Sequence, residues 1–285
     1  SDVCSSDLKT TPTITVLKDI TLSAKVTYNN TSKTDVTFDL NGHTISGGVT
    51  QLFYLTAPSN AGTFTIKSSV EGGQIKNVLS SNATRYCVYV NNGTVNLQSG
   101  TIYMQNTNTG TSVTAYGVVV RSSRKFNMTG GKVEVHSTRS AYGVYSNGTT
   151  NISGGEIEAV ETSRGNCTAV YSVNGTTTIE DGAECSATGT NNVYGVIVGG
   201  ATPGTDGTTY NGKLIVNGGS FTAKATGASG TAYGAYCTGN TRPINYDGAE
   251  PGNFADAGNL TIKGGEFTVE GATTYGVGTK AAVSI

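Results

Sequence analysis

Two carboxylates, Glu156 and Glu158, stand two residues apart in this chain. On a strand such a pair projects to one side. Carboxyls that flank a sugar about 5–10 Å apart can hydrolyse a glycosidic bond. The neighbouring residues supply no cleft and nothing to raise either pKa, so the pair reads as a solvated acidic face that blunts aggregation. A second acidic set falls in two long insertions, 199–212 and 238–259. These carry Asp206, Asp247, Glu250 and Asp256, with Arg242, among Tyr210, Tyr246 and Phe254. Aromatic rings beside carboxylates suit sugar recognition, and the carboxylates could also gather Ca²⁺, which takes six to eight oxygen ligands. His43 and His136 are far apart and lack Cys or carboxylate companions at zinc spacing. There is no Gly-Lys-Ser/Thr phosphate loop and no G-x-S-x-G serine elbow. The sequence therefore assigns no catalytic residue, no metal site and no cofactor beyond the Ca²⁺ option, and it leans away from an enzyme.

The elements that must hold these side chains come from a repeat. An apolar residue, a spacer and a Gly-rich corner recur, as in Leu97-Gln98-Ser99-Gly100, Met128-Thr129-Gly130-Gly131 and Ile152-Ser153-Gly154-Gly155. The apolar anchors fall at 40, 66, 97, 128, 152, 179, 216 and 262. A period near 26 residues with tolerated insertions points to a solenoid whose units bury their apolar sides against one another. Each unit holds three short strands with a period of 2 and no helical stretch. The expected fold is all-β: a right-handed parallel β-helix with three sheets and about eight to nine coils of roughly 26 residues. Eight coils run from Phe38 to Gly278, with a less regular one before them.

Columns across the repeats separate core from surface. On the first strand Leu40, Ile66, Leu97, Met128, Ile152, Ile179, Val216 and Ile262 should point inward. Asp39, Thr65, Asn96, Asn127 and Asn151 precede the first five and should point outward, the three Asn stacking amide on amide to fix register. On the second strand the inward column is Ile45, Ile75, Ile102, Val133, Ile157, Cys185, Phe221 and Phe267. The third strand reads Tyr116-Gly117-Val118-Val119, Tyr142-Gly143-Val144-Tyr145, Thr168-Ala169-Val170-Tyr171 and so on. Its uniform Val column is placed inside. Strict alternation then puts the leading Tyr column inside or at a corner, and Tyr89, Tyr145, Tyr171 and Tyr236 outside. There the small residue before each ring leaves it space to lie flat. Reversed parity would expose the leading Tyr column instead. Either way an apolar stripe is exposed, which marks an interaction site. The two insertions leave one corner of adjacent coils and should stack at the edge of this stripe. Loops on a rigid scaffold are where binding residues usually sit. Cys87, Cys167, Cys185 and Cys237 share no column in adjacent coils and read as small core residues rather than disulfides.

Composition sets the remaining bounds. The 285 residues carry 18 Lys and Arg against 19 Asp and Glu, a net charge of −1, which leaves no basic excess for a nucleic acid. No apolar run reaches the roughly 20 residues of a membrane span. Thr is the commonest residue at 46, with 40 Gly and 15 Tyr, a balance that favours strands and tight turns over helices. Residues 1–8, Ser1 to Leu8, resemble a translated sequencing-library adapter and are set aside. Residues 9–285 then read as a single domain cut short at both ends.

Val36-Thr37-Phe38-Asp39-Leu40-Asn41-Gly42-His43-Thr44-Ile45, the repeated Gly-Gly corners and the Tyr-Gly-Val strands resemble large bacterial cell-surface β-helix proteins. These are adhesin-like members of the wider pectate-lyase-like group. The resemblance implies an extracellular structural or adhesive segment. A glycan or a surface protein would be its partner, held by the third-strand aromatic face and the two insertions. A polysaccharide lyase or glycoside hydrolase is the alternative on the same fold. A phage tailspike, trimeric along one apolar sheet face, is a further one.

Overall fold

The computed structural model describes residues 11–29, 35–56, 62–199, 212–238, 245–246 and 259–279. Among them every regular element is a strand, and the strands pair in parallel. Three ladders rise side by side. The first includes Thr63–Lys67, Thr94–Leu97 and Gly212–Val216, and the second Gln74–Leu79, Thr101–Asn106 and Ser220–Ala225. The third is a nine-stranded sheet running from Val26–Tyr28 to Thr273–Thr279, each strand bonded to the next one in the repeat. The chain visits the ladders in turn, and the stacking fits a parallel β-helix or solenoid. The first and second ladders are not separate sheets. Lys125–Ser137 and Thr149–Glu161 run unbroken through the corner between them, absorbing the bend as shifts of register around Thr129, so the two join as one 17-stranded sheet.

The second-strand column is observed as expected. Ile45, Ile75, Ile102, Val133, Ile157, Cys185, Phe221 and Phe267 pair in unbroken register. The first-strand column holds from Ile66 to Ile262. The side chains from Ile66 to Val216 are fully buried. Each such side chain contributes roughly 1.5–3 kcal/mol on leaving water. The Asn ladder forms: Asn127 Nδ2 donates to Asn96 Oδ1 at 2.8 Å, and Asn151 Nδ2 to Asn127 Oδ1 at 2.9 Å. At the corner, Gly131 and Gly155 have φ of 77° and 90°. A Cβ on Gly155 would lie 2.6 Å from the Gly131 carbonyl oxygen, so only glycine lets these corners stack.

One column start is corrected. Phe38, not Leu40, pairs with Ile66, and Thr37, not Asp39, pairs with Thr65. The strand ends at Asp39, and the chain turns through Asn41 and Gly42 with φ of 49° and 79°. Asp39 is consequently not an outward strand residue but a cap, 5% exposed. Its Oδ1 accepts from the Asn41 and Ser69 amides, each at 2.9 Å, and Lys67 Nζ lies 3.5 Å from its other oxygen. Burial opposes the charge, yet these partners hold the Asp39 carboxyl below its ordinary pKa. Leu40 remains wholly buried at the corner.

Candidate functional site: a tyrosine-lined sheet face

The third ladder places its side chains in a way that neither simple parity anticipates. From Gln51–Leu55 onward the register skips one residue per strand: Tyr116 pairs with Tyr142 and Val118 with Val144, while Gly117 and Gly143 carry no bridge, and the same break falls at Leu52, Cys87 and Ala169. Gly117 and Val118 both lie on the buried side. A Cβ on Gly117 would stand 2.5 Å from Val133 Cγ1 in the core, and Val118 is 0% exposed. Two consecutive inward positions shift the alternation by one. The leading Tyr column and the later Tyr column therefore both face outward, and the expectation that the leading column turns inward is overturned. The irregularity belongs to the strand itself and glycine eases it rather than causing it, since Leu52 with Phe53, Cys87 with Val88 and Ala169 with Val170 are likewise consecutive buried pairs at the skipped position.

The rings form a ribbon two columns wide. Tyr86, Tyr116 and Tyr142 stack with centroids 5.4 and 4.9 Å apart and planes within 15°. Tyr194, Tyr233 and Tyr275 stack likewise at 5.1 Å per step and within 11°. Thr168, 1% exposed, stands between the two stacks. In the second column Tyr145 meets Tyr116 and Tyr171 edge-on, at 76° and 77°, and Tyr89 meets Tyr86 at 81°. Tyr236 tilts against Tyr194 and Tyr233. Val119 and Ile197 floor the gaps in this column at 5% and 6% exposure. Tyr89, Tyr145, Tyr171 and Tyr236 thus lie together, as the sequence indicates, but the rings do not lie flat. Within each leading stack the middle ring, Tyr116 or Tyr233, has both faces against its neighbours and offers its edge outward.

The face is electrically neutral. The outward positions of the strands from Thr84–Val90 to Thr273–Thr279 carry Tyr, Thr, Ser, Asn, Val, Ile and Gly, and no charged residue. Charge stands at the rim: Arg121 Nη1 donates to the Tyr89 hydroxyl at 3.2 Å, and Lys25 Nζ sits 4.6 Å from the Tyr54 ring centroid. Burial pushes the Tyr116, Tyr142 and Tyr194 phenols above their ordinary pKa. Neighbouring phenols add to this, Tyr142 and Tyr145 at Tyr116, and Tyr233 and Tyr236 at Tyr194. These three phenols stay uncharged at neutral pH.

The second ladder is the opposite in character. Lys132 Nζ reaches Glu158 at 2.7 Å, Glu156 at 3.1 Å and Glu134 at 3.4 Å, and His136 Nε2 lies 2.7 Å from Glu134 Oε1. Burial alone would lower the Lys132 ammonium, but hydrogen bonds to Glu158 and Glu156 outweigh it and raise the pKa. Burial likewise opposes the Glu134 charge, yet His136 and Lys132 hold its carboxyl below the usual range. A lysine held charged is a poor base, and a carboxyl held ionised is a poor proton donor. Sequence reading along one strand misses this group. Reading across columns finds it, since Lys132 pairs with Glu156 and Glu134 with Glu158. Beside it an open groove of about 270 Å³ follows the glycine corner, lined by Glu71, Gly73, Ser99, Gly100, Gly131 and Lys132.

Asp206, Tyr210, Asp247, Glu250, Phe254 and Asp256 lie outside the described residues, as does the Tyr246 side chain. The backbone of Asn245–Tyr246 pairs with Thr261 and Ile262, on the first ladder rather than at the edge of the third. Among the described residues no three His, Cys, Asp or Glu side chains converge as metal ligands. Cys87, Cys167, Cys185 and Cys237 are buried and none forms a disulfide among the described residues, and burial pushes the Cys185 thiol up to about 12. Searches with this chain found no matching family model, curated protein or solved structure.

Proposed function

We propose that this chain is an extracellular structural and adhesive segment of a bacterial surface protein, built as a right-handed parallel β-helix of eight to nine coils. It engages a glycan or a partner surface through the third-ladder tyrosine face, with the 199–212 and 238–259 insertions contributing. The observation that carries the reading is the neutral two-column ribbon of tyrosines on a rigid sheet. Tyrosine supplies large contact area with a polar tip at little entropic cost, and charge is depleted at interface cores. The charged second ladder supports this choice of face, because its carboxylates are already engaged by Lys132 and His136.

The test is binding of the immobilised chain to a glycan array and to cell-surface extracts. The double substitution Tyr145→Ser, Tyr171→Ser should weaken capture about tenfold or more, on the scale of interface hot spots. Glu156→Gln, Glu158→Gln should leave it unchanged. Capture indifferent to the tyrosines, or depolymerisation of a bound polysaccharide, would refute the reading.

A further inference from the structure

We infer that the surface this ribbon takes is the same ribbon on a second copy of the chain, with the two stacks aligned. The inference rests on the binding role just proposed for the face and names its partner. Four observations lead there. First, within each leading stack the rings cover one another's faces at 4.9–5.4 Å, so a sugar cannot lie flat on Tyr116 or Tyr233. What is offered is a row of edges and hydroxyls. Second, that row has the spacing of stacked strands, about 4.8 Å. A ligand touching ring after ring must share it. An extended peptide advances about 6.6 Å between residues on one face and drifts out of step within a few rings. A second copy has the same repeat along its whole length.

Third, the face is self-complementary. A phenol donates and accepts a hydrogen bond, so identical rows can satisfy each other. Identical rows of charge, such as the second ladder carries, would repel. Fourth, the size is that of a reversible interface. The seven strands that carry the ribbon span about 29 Å, and the columns from Thr114 through Tyr116 to Val119 span about 16 Å. Two such faces bury on the order of 1,000 Å², at the lower bound of specific interfaces. Thr114, Ser140 and Thr231, outward and half-buried ahead of the leading rings, border the contact.

The deciding experiment is sedimentation velocity on the full chain. The double substitution Thr114→Arg, Thr231→Arg adds charge beside the ribbon without removing a ring. Thr222→Arg places one such charge on the second ladder as a control. The wild type should self-associate. The paired substitution should raise the dissociation constant about tenfold or more with the circular dichroism spectrum unchanged, and Thr222→Arg should alter neither the dissociation constant nor the spectrum. A wild type that stays monomeric at the highest soluble concentration overturns the inference, and so does equal weakening by Thr222→Arg. A monomer that still captures a glycan through Tyr145 and Tyr171 overturns self-association alone. A monomer that captures nothing overturns the binding role as well.

Discussion

Gly143→Ala tests the account of the third ladder most directly. A Cβ at Gly143 would sit 2.4 Å from Ile157 Cγ2 and 2.5 Å from the Ala169 carbonyl oxygen. The oxygen belongs to a strand hydrogen-bonded on both sides and cannot rotate away, so the strand or Ile157 must move. Overpacking of this kind costs about 1–3 kcal/mol, and the backbone contact places this case near 3. For a chain of this size that corresponds to a fall in Tm of roughly 6–12 °C, read by circular dichroism. The next repeat shows how the space can be relieved. Ala169 stands to Cys185 as Gly143 stands to Ile157, because Tyr142 pairs with Thr168 and Ile157 with Cys185. Ile157→Cys alone should cost about 2 kcal/mol through its cavity. In the double variant the two losses should fall short of their sum by about 1–2 kcal/mol. A Tm for Gly143→Ala within a degree or two of wild type would refute the inward placement of this residue. Strict additivity would refute the size match.

Three further outcomes follow from the geometry. Asn127→Ala removes a donor and an acceptor from the middle of the amide ladder and should lower stability by about 1–2 kcal/mol in urea, against about half that for Asn151→Ala, which removes one rung of the ladder rather than two. Lys132→Met leaves Glu134, Glu156 and Glu158 facing one another. It should destabilise by no more than about 2 kcal/mol, because these groups are partly solvated, and added salt should restore part of the loss where wild type responds less. The raised Tyr116 and Tyr142 phenols keep protons that the unfolded chain releases above about pH 10. The stability they lend is intact below that pH and lost above it, at about 1.4 kcal/mol per pH unit and ring, and a urea midpoint that stays flat from about pH 9 to 11 would contradict this.

Much of the fold is legible in the residues themselves. The second-strand column needs only period-2 alternation and a fixed offset from each glycine corner, and every pairing from Ile45 to Phe267 agrees. The Asn ladder follows from the same alignment. The departures have physical causes. Asp39 and Leu40 fall one pair out of column because the anchor-plus-glycine pattern does not reveal where a strand ends and a turn begins. There a carboxylate caps two amides instead of facing water. The direction of the leading tyrosines defeats alternation, which assumes that each residue reverses the one before. Two consecutive residues pressed inward, Gly117 and Val118 in one strand and Cys87 and Val88 or Ala169 and Val170 in others, break that rule without any change in strand length. The Lys132 group is hidden from a linear reading because its members are neighbours in space across repeats, not along the chain.

The direction of the hydrogen bonds has a mechanical consequence. In all three ladders they join one repeat to the next, so tension along the stack loads all the bonds of a repeat together, not singly. Yielding then proceeds by whole repeats peeled from an end. From Tyr116 to its partner Tyr142 is 26 residues. Peeling that repeat shortens the stack by about 4.8 Å and frees roughly 90 Å of extended chain. The material is stiff until a threshold, then releases nearly twenty times the length it surrenders, which is the response of a stepwise shock absorber rather than of a spring.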